Sequence, residues 1–395
     1  MTIMNNTFLS RLKNTLFIVG LTILLLIIGH WITGYGYVLK GVCYAYFRGN
    51  SGPTIDESHL FYNHIITTHS PVKWKESKAL LNNEISSKSL EKLKLIETTS
   101  LLVIKNNKLI YESYWEGFNY KQPTNSFSAV KSVISLLIGI AIDEGCIKSV
   151  DQLVSDFLPS FKIGDKSKIT IKNLLTMSSG LSWSESGGNP YSDNARAYYG
   201  EDLLGQVNNL KCEEKPGKIF KYKSVNTQIL GYIIEKATGL TLSKYLEKAI
   251  WFKINAEHQA IWNLDKFNGD EKAYCCLYLV PRDYAKIGQL VLNKGKWNGQ
   301  QVISENYLKK AIQPASYLTE KDGKQNIRYG WHWWTASYNN DEVYYARGIN
   351  GQYIIIWPEK ETVIIRTGKR RKKVANDGHP EDFWSYLKIA EELIQ

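Results

Sequence analysis

Ser128 and Lys131 stand three residues apart in Ser128-Ala129-Val130-Lys131, at the head of a strongly apolar run. Three residues is close to one helical turn, so the hydroxyl and the amine share a face and come within reach of each other. That pairing suits a nucleophile and its proton acceptor. A helix N-terminus beside the serine supplies partial positive charge and free N–H groups, and burial of the lysine lowers its pKa until it can take a proton. Ser-x-x-Lys alone is a common sequence, and a capping serine next to a lysine whose stem covers apolar surface also explains it. The other usual chemistries find less support. The seven histidines, at 30, 59, 64, 69, 258, 332 and 379, form no metal-ligand spacing with cysteines or with one another. No Gly-x-Ser-x-Gly elbow is present for a Ser/His/Asp triad. Neither a metal nor a cofactor is expected.

The elements around this pair follow from periodicity. Ser128 to Glu144 carries Val130, Val133, Ile134, Leu137, Ile138 and Ala141 and ends at Gly145, which predicts a centrally buried helix. Before it, Ser100 to Ile104 and Leu109 to Tyr114 read as a hairpin turning at Lys105 to Lys108. Residues 151 to about 280 read as a mostly helical subdomain, with helices at Gln152 to Phe157, Ile171 to Thr176, Asn226 to Ala237 and Leu242 to Ile250. A helix from Pro281 to Leu292 and another at Asn306 to Ile312 precede strands at Glu342 to Arg347, Tyr353 to Trp357 and Thr362 to Thr367. A last helix covers about Glu381 to Ile394. Two early strands and several late ones, flanked by helices, predict one antiparallel sheet built from both ends of the chain.

Leu16 to Ile32 is almost uninterruptedly apolar and follows Arg11 and Lys13. It predicts a membrane-crossing signal anchor at 14–34, because its exit offers no small-residue cleavage site and Trp31, Tyr35 and Tyr37 suit an aromatic belt. The positive-inside rule then leaves 1–13 as a cytoplasmic tail and puts the rest outside, in the periplasm or at the cell surface of a bacterium. Residues 35–75 lack periodicity and read as a stalk, leaving 76–395 as the catalytic domain. The net charge of +11 is spread along the chain, and its one dense block, Lys369 to Lys373, has no interleaved aromatics. That pattern argues against nucleic-acid binding and for a solvated face near headgroups. Five cysteines, an odd number without Cys-x-x-Cys, imply no disulfide framework, and adjacent Cys275 and Cys276 are not expected to bridge each other.

A second segment, Pro216-Gly217-Lys218-Ile219-Phe220-Lys221-Tyr222-Lys223-Ser224-Val225-Asn226, and a third, Gly348-Ile349-Asn350-Gly351-Gln352, follow the first in fixed order. Together the three resemble the serine β-lactamase and penicillin-binding-protein superfamily, in particular its class C-like esterase and 6-aminohexanoate-oligomer hydrolase branch. Thr170 to Leu181 resembles that branch's ITxxxLLTMTSGL segment, and Pro281-Arg282-Asp283-Tyr284-Ala285 its TxRDxA helix start. The resemblance covers about residues 98 to 392. It implies an α/β (α+β) fold of the β-lactamase/transpeptidase type, an antiparallel sheet flanked by helices with a helical subdomain. It also implies Ser128 as the acylated nucleophile, Lys131 as its proton acceptor and Tyr222 as the acid or base of the relay. Ser224 falls at the third position of the tyrosine motif, where it could bond substrate or Lys131. The N–H groups of Ser128 and Ile349 would form the oxyanion hole, with Gly348 and Asn350 beside the substrate.

The sequence departs from the lactamase pattern at Ala346-Arg347-Gly348, where those enzymes carry KTG or HxG. Arg347 should point to the strand face opposite Ala346 and is not counted as a replacement. The expected activity is hydrolysis of a small-molecule ester or linear amide. Alternatives are a cell-wall D,D-peptidase or β-lactamase and, in a different class, a non-catalytic membrane-anchored binding or sensor protein. Tyr329 to Trp334 reads as an aromatic wall of the cleft or as an alternating strand, half of it core.

Overall fold

The computed structural model describes residues 2–394; Met1 and Gln395, at the ends of the expected tail and catalytic domain, lie outside the described residues. The chain divides into two compact units, Met1–Pro53 with Ser184–Leu203, and Thr54–Trp183 with Leu204–Gln395.

The larger unit is built on a six-stranded antiparallel sheet. In spatial order its strands are Lys108–Tyr114, Thr98–Lys105, Thr362–Gly368, Gln352–Trp357, Asp341–Gly348 and Trp334–Tyr338. The join between the two ends of the chain is the pairing of Thr362–Gly368 with Thr98–Lys105, in register at Ile364↔Val103. Both faces are covered, so these strands read as continuous apolar runs. Leu102, Ile104, Ile354, Ile356, Val363 and Ile365 face one core, which they share with the helices Val130–Asp143 and Pro281–Leu292. Leu101, Val103, Tyr353, Ile355 and Ile364 face a second core under the C-terminal helix Phe383–Ile394. The Val130–Asp143 helix is buried from Val130 to Ala141, which its all-round apolar pattern requires. Its neighbour in that core is the Val225–Thr238 helix, ended by Gly239 in the left-handed region at φ 72°.

The segment 151–280 is less helical than its pattern predicts. Gln152 to Phe157 forms only a 3₁₀ turn at Val154–Asp156, and two short strands, Ala260–Asn263 and Leu277–Leu279, join a four-stranded sheet with Asn63–Ile66 and Thr124–Asn125. Asn63–Ile66 lies within the segment read as a stalk. Cys275 and Cys276 are joined by a disulfide, contrary to the expectation from their adjacency. Cys276 sits at φ 67°, the turn that brings the neighbouring side chains together.

The smaller unit contains the N-terminal helix Thr2–Ile32, of which Phe8–Ile32 has a mean hydropathy of 2.3 and is long and apolar enough to cross a membrane. Within this unit the helix Gly36–Tyr44 follows, and Lys40 pairs with Glu201 at 3.0 Å. Also within this unit, the Tyr191 hydroxyl and His30 Nε2 are hydrogen-bonded at 3.0 Å.

Candidate active site

Ser128 lies in a 3₁₀ turn, Phe127–Ala129, that runs directly into the Val130–Asp143 helix. The turn is entered through Phe127 at φ 45°, a left-handed conformation uncommon for a bulky residue. Asn125 holds it there. Its Oδ1 accepts from Phe127 N at 2.8 Å and from Cys276 N at 3.1 Å, and its Nδ2 donates to Tyr278 Oη at 3.2 Å. Ser126 N donates to Leu277 O at 2.8 Å, so the residues before the nucleophile candidate are fastened to the strand after the disulfide.

Lys131, only 1% exposed, donates from Nζ to Ser128 Oγ at 3.0 Å and to Tyr274 O at 2.8 Å. Its Nζ lies 5.3 Å from the Tyr222 ring centroid and 5.6 Å from that of Tyr274. Tyr222 is carried on an extended segment tied to the Thr170–Leu181 stretch, where Lys221 N donates to Met177 O and Gly217 N to Ser178 O, each at 2.8 Å. That stretch is in turn set by a capping box, Thr170 and Asn173 exchanging side-chain bonds with each other's backbone. Tyr222 stacks on Trp334 with centroids 5.8 Å apart and 26° between planes, and meets Tyr329 edge-on at 5.9 Å. Ser224 is buried one residue before the Val225–Thr238 helix.

Gly348 closes the other side. A Cβ there would lie 2.2 Å from Ser126 O, so the end of the Asp341–Gly348 strand runs against the turn that carries Ser128. Ile349 is 43% exposed, and Asn350 follows at φ 61°. Neither the Ser128 nor the Ile349 N–H donates to a backbone carbonyl outside its own short helix among the described residues. Arg347 stacks on Trp334, its Cζ 3.6 Å from the ring centroid, and donates to Gly378 O at 3.1 Å. Ala346 is fully buried in the core on the other side of the strand.

The expected site residues therefore gather around one turn and one strand end: Ser128 and Lys131 in direct contact, Tyr222 within cation–π range of that lysine, and Gly348 packed on the turn. Three contributors escaped the sequence. Asn125 braces the turn, the Tyr274 carbonyl shares Lys131, and His332 sits behind it. Burial, and secondarily the Lys131 charge, push the His332 pKa down to about 3, and its Nε2 bonds Thr227 Oγ1 at 2.9 Å. The Tyr329–Trp334 segment is not an alternating strand. His332 turns at φ 62°, and Trp331, Trp333 and Trp334 are all buried. The Arg282-Asp283-Tyr284 segment is scaffolding: Arg282 grips Glu112 with two bonds of 2.8 and 2.6 Å, and Tyr284 Oη donates to Thr124 O at 2.7 Å.

The Beta-lactamase family model matches residues 91–383, well over half of the chain. The 6-aminohexanoate-dimer hydrolase of Paenarthrobacter ureafaciens is 24% identical over 285 residues, covering 68% of this chain and 72% of that protein. Among solved structures, the Bacillus anthracis protein assigned as a 6-aminohexanoate-dimer hydrolase aligns with a TM-score of 0.73 at 21% identity, over 86% of this chain and 92% of that one. A family VIII carboxylesterase aligns at 0.62 and 13% identity, over 84% and 99%. These likenesses share the fold of the larger unit, a sheet flanked by helices, and the chain belongs to the beta-lactamase family of serine hydrolases.

Proposed function

We propose that the protein hydrolyses ester or linear amide bonds through an acyl-enzyme on Ser128. The observation that carries this reading is the 3.0 Å contact between Lys131 Nζ and Ser128 Oγ, with the lysine buried. A neutral Lys131 takes the Ser128 proton as the hydroxyl oxygen attacks the carbonyl carbon, and the Ser128 and Ile349 N–H groups receive the oxyanion. Tyr222 protonates the leaving group and then helps activate the water that releases the acyl group. Ser224, Gly348 and Asn350 border the substrate. Proximity of Lys131 to Tyr222 supports the shared relay, because Lys131, once it carries the Ser128 proton, stabilises the phenolate that Tyr222 becomes on giving its proton to the leaving group. The hydrolase names of the relatives support the ester and amide classes.

The same proposal includes a tail at 1–13, an anchor at 14–34, a stalk at 35–75 packed partly on the domain, with Asn63–Ile66 as a strand of its four-stranded sheet, and an extracytoplasmic hydrolase domain from 76 onward. The exposed apolar face of Phe8–Ile32 supports the anchor. The test of function is covalent labelling of the full chain with a fluorophosphonate, followed by a hydrolysis screen of aryl esters, amide oligomers, D-Ala-D-Ala peptides and nitrocefin. Ser128→Ala should abolish labelling and turnover while the protein still folds; a labelled Ser128→Ala protein rules the nucleophile out. The anchor is tested by extraction: the chain should stay with membranes in high salt and leave them only with detergent.

A further inference from the structure

Away from the Ser128 constellation, the larger unit holds a cavity of about 690 Å³, within the ~300–1,000 Å³ common for small-molecule sites. It lies between residues 72–75, the end of the Pro281–Leu292 helix and the Lys296–Gln301 hairpin, and none of its lining residues belongs to the catalytic proposal.

Its chemistry is specific in two respects. Trp74 and Trp297 meet edge to face, with centroids 6.4 Å apart and planes at 81°. Trp74 is fixed by Nε1 donating to Arg282 O at 2.8 Å, whereas Trp297 is half-buried in the hairpin, so part of its indole lines the open space. The lining also contains five lysines and no aspartate or glutamate. Lys286 is buried and bonds the carbonyls of Val72 and Asn255, which makes it part of the frame. Lys294 pairs with Glu305 at 3.3 Å. Lys73, Lys75 and Lys296 have no ion-pair partner among the described residues. Asn107, Asn255, Asn293 and Asn298 complete the wall with amides that both donate and accept.

A flat indole takes the C–H face of a sugar ring, amides take its hydroxyls, and unpaired ammonium groups take fixed negative charge. We propose that this cavity binds an acidic oligosaccharide, a short chain of sugars or sugar alcohols bearing carboxylate or phosphate groups. A neutral glycan leaves three ammonium groups without counter-charge. A plain polyanion has no use for the indole and the four amides.

The test uses full-length protein in detergent, with binding followed by calorimetry and tryptophan fluorescence. The probes are tetragalacturonate, a ribitol-phosphate tetramer, neutral maltotetraose and pentathymidylate. One or both acidic sugars should bind at least about tenfold more tightly than maltotetraose, a factor measurable as ~1.4 kcal/mol. Trp297→Ala should weaken that binding about tenfold, and Lys73→Gln with Lys296→Gln should erase the preference over maltotetraose. Aryl-ester hydrolysis by both variants should match the wild type, which shows that they fold. Which acidic probe binds separates carboxylate from phosphate as the source of charge. The proposal is overturned if neither acidic sugar outbinds maltotetraose, or if pentathymidylate binds as tightly as they do.

Discussion

Gly348→Ala isolates the closeness of the strand and the Ser128 turn from every other property of the site. Gly348 sits at φ −112° and ψ 160°, extended backbone that alanine adopts without strain, so the methyl group alone is the perturbation. Built in place, it lies 2.2 Å from Ser126 O, where a carbon–oxygen contact normally needs roughly 3.3 Å. The strand end or the Ser126–Ser128 turn must retreat by about 1 Å. A shift of that size in a reacting group costs on the order of a hundredfold in rate, and overpacking costs about 1–3 kcal/mol of stability. The assay is kcat/KM for an aryl acetate together with the rate of fluorophosphonate labelling, both expected to fall about a hundredfold. Gly52→Ala, with nothing within 4 Å of its Cβ, is the control and should change neither. Gly348→Ala activity within about threefold of wild type would refute the idea that the Gly348 end of the strand sets the position of Ser128.

Three further outcomes follow from the same geometry. Lys131→Ala and Tyr222→Phe should each lower aryl-ester kcat by on the order of a hundredfold or more, the scale of a lost general acid or base, while Ser128 stays in place; near-normal turnover in either removes that residue from the relay. Nitrocefin should be a far poorer substrate than an aryl butyrate, because Ala346 offers no donor to a lactam carboxylate and Arg347 is engaged by Trp334 and Gly378. A missing charge-assisted bond of ~1.5–3 kcal/mol predicts a ten- to hundredfold deficit, and efficient nitrocefin turnover without esterase activity contradicts it. His332 has its pKa lowered to about 3 from 6.5, so the unfolded chain binds its proton first. The stability it protects is complete above pH 6.5 and declines as pH falls towards 3, by about 1.4 kcal/mol per unit, or ~2 kcal/mol at pH 5. Thermal midpoints at pH 7 and pH 5 should therefore drop less in His332→Gln than in wild type; an equal drop shows that His332 is not the titrating group.

The parts of the fold that were legible are those whose signal is periodic or set by a proline, whereas the Cys275–Cys276 disulfide was not. The Val130–Asp143 helix announces itself by apolar residues on every face, and Pro281 at the first helical position marks the start of its helix. The two-ended sheet follows from strands too distant in sequence to pair locally. What escaped is carried by backbone atoms or by single side chains. The Tyr274 carbonyl that shares Lys131 has no residue type to advertise it. Asn125 reads as one more polar residue before the serine, although it satisfies two N–H groups and steadies Phe127 at positive φ. Ala260–Asn263 and Leu277–Leu279 are three or four residues long, too short for an alternation to show between helical neighbours. At Tyr329–Trp334 the alternation is present but His332 breaks it with a left-handed turn, so all three tryptophans go inward.

The seam between Thr98–Lys105 and Thr362–Gly368 has a consequence for how the protein is born. A ribosome finishes the hairpin of Thr98–Lys105 and Lys108–Tyr114, and the Ser128 helix, long before it makes the strand that seals them; Thr99 and Thr367, whose side chains bond across the seam, are 268 residues apart in sequence. Until then one edge of the hairpin is open and apolar, the kind of edge that invites pairing with other chains. Contacts of such sequence separation also fold slowly, because loop closure must precede the reward. Gly348 reaches the Ser126 carbonyl only when its own strand docks, so the Ser128 turn acquires its last wall near the end of synthesis. On the proposed mechanism, a nascent or truncated chain would accordingly carry Ser128 and Lys131 without reactivity, and hydrolysis would begin only once the C-terminal strands have closed the sheet.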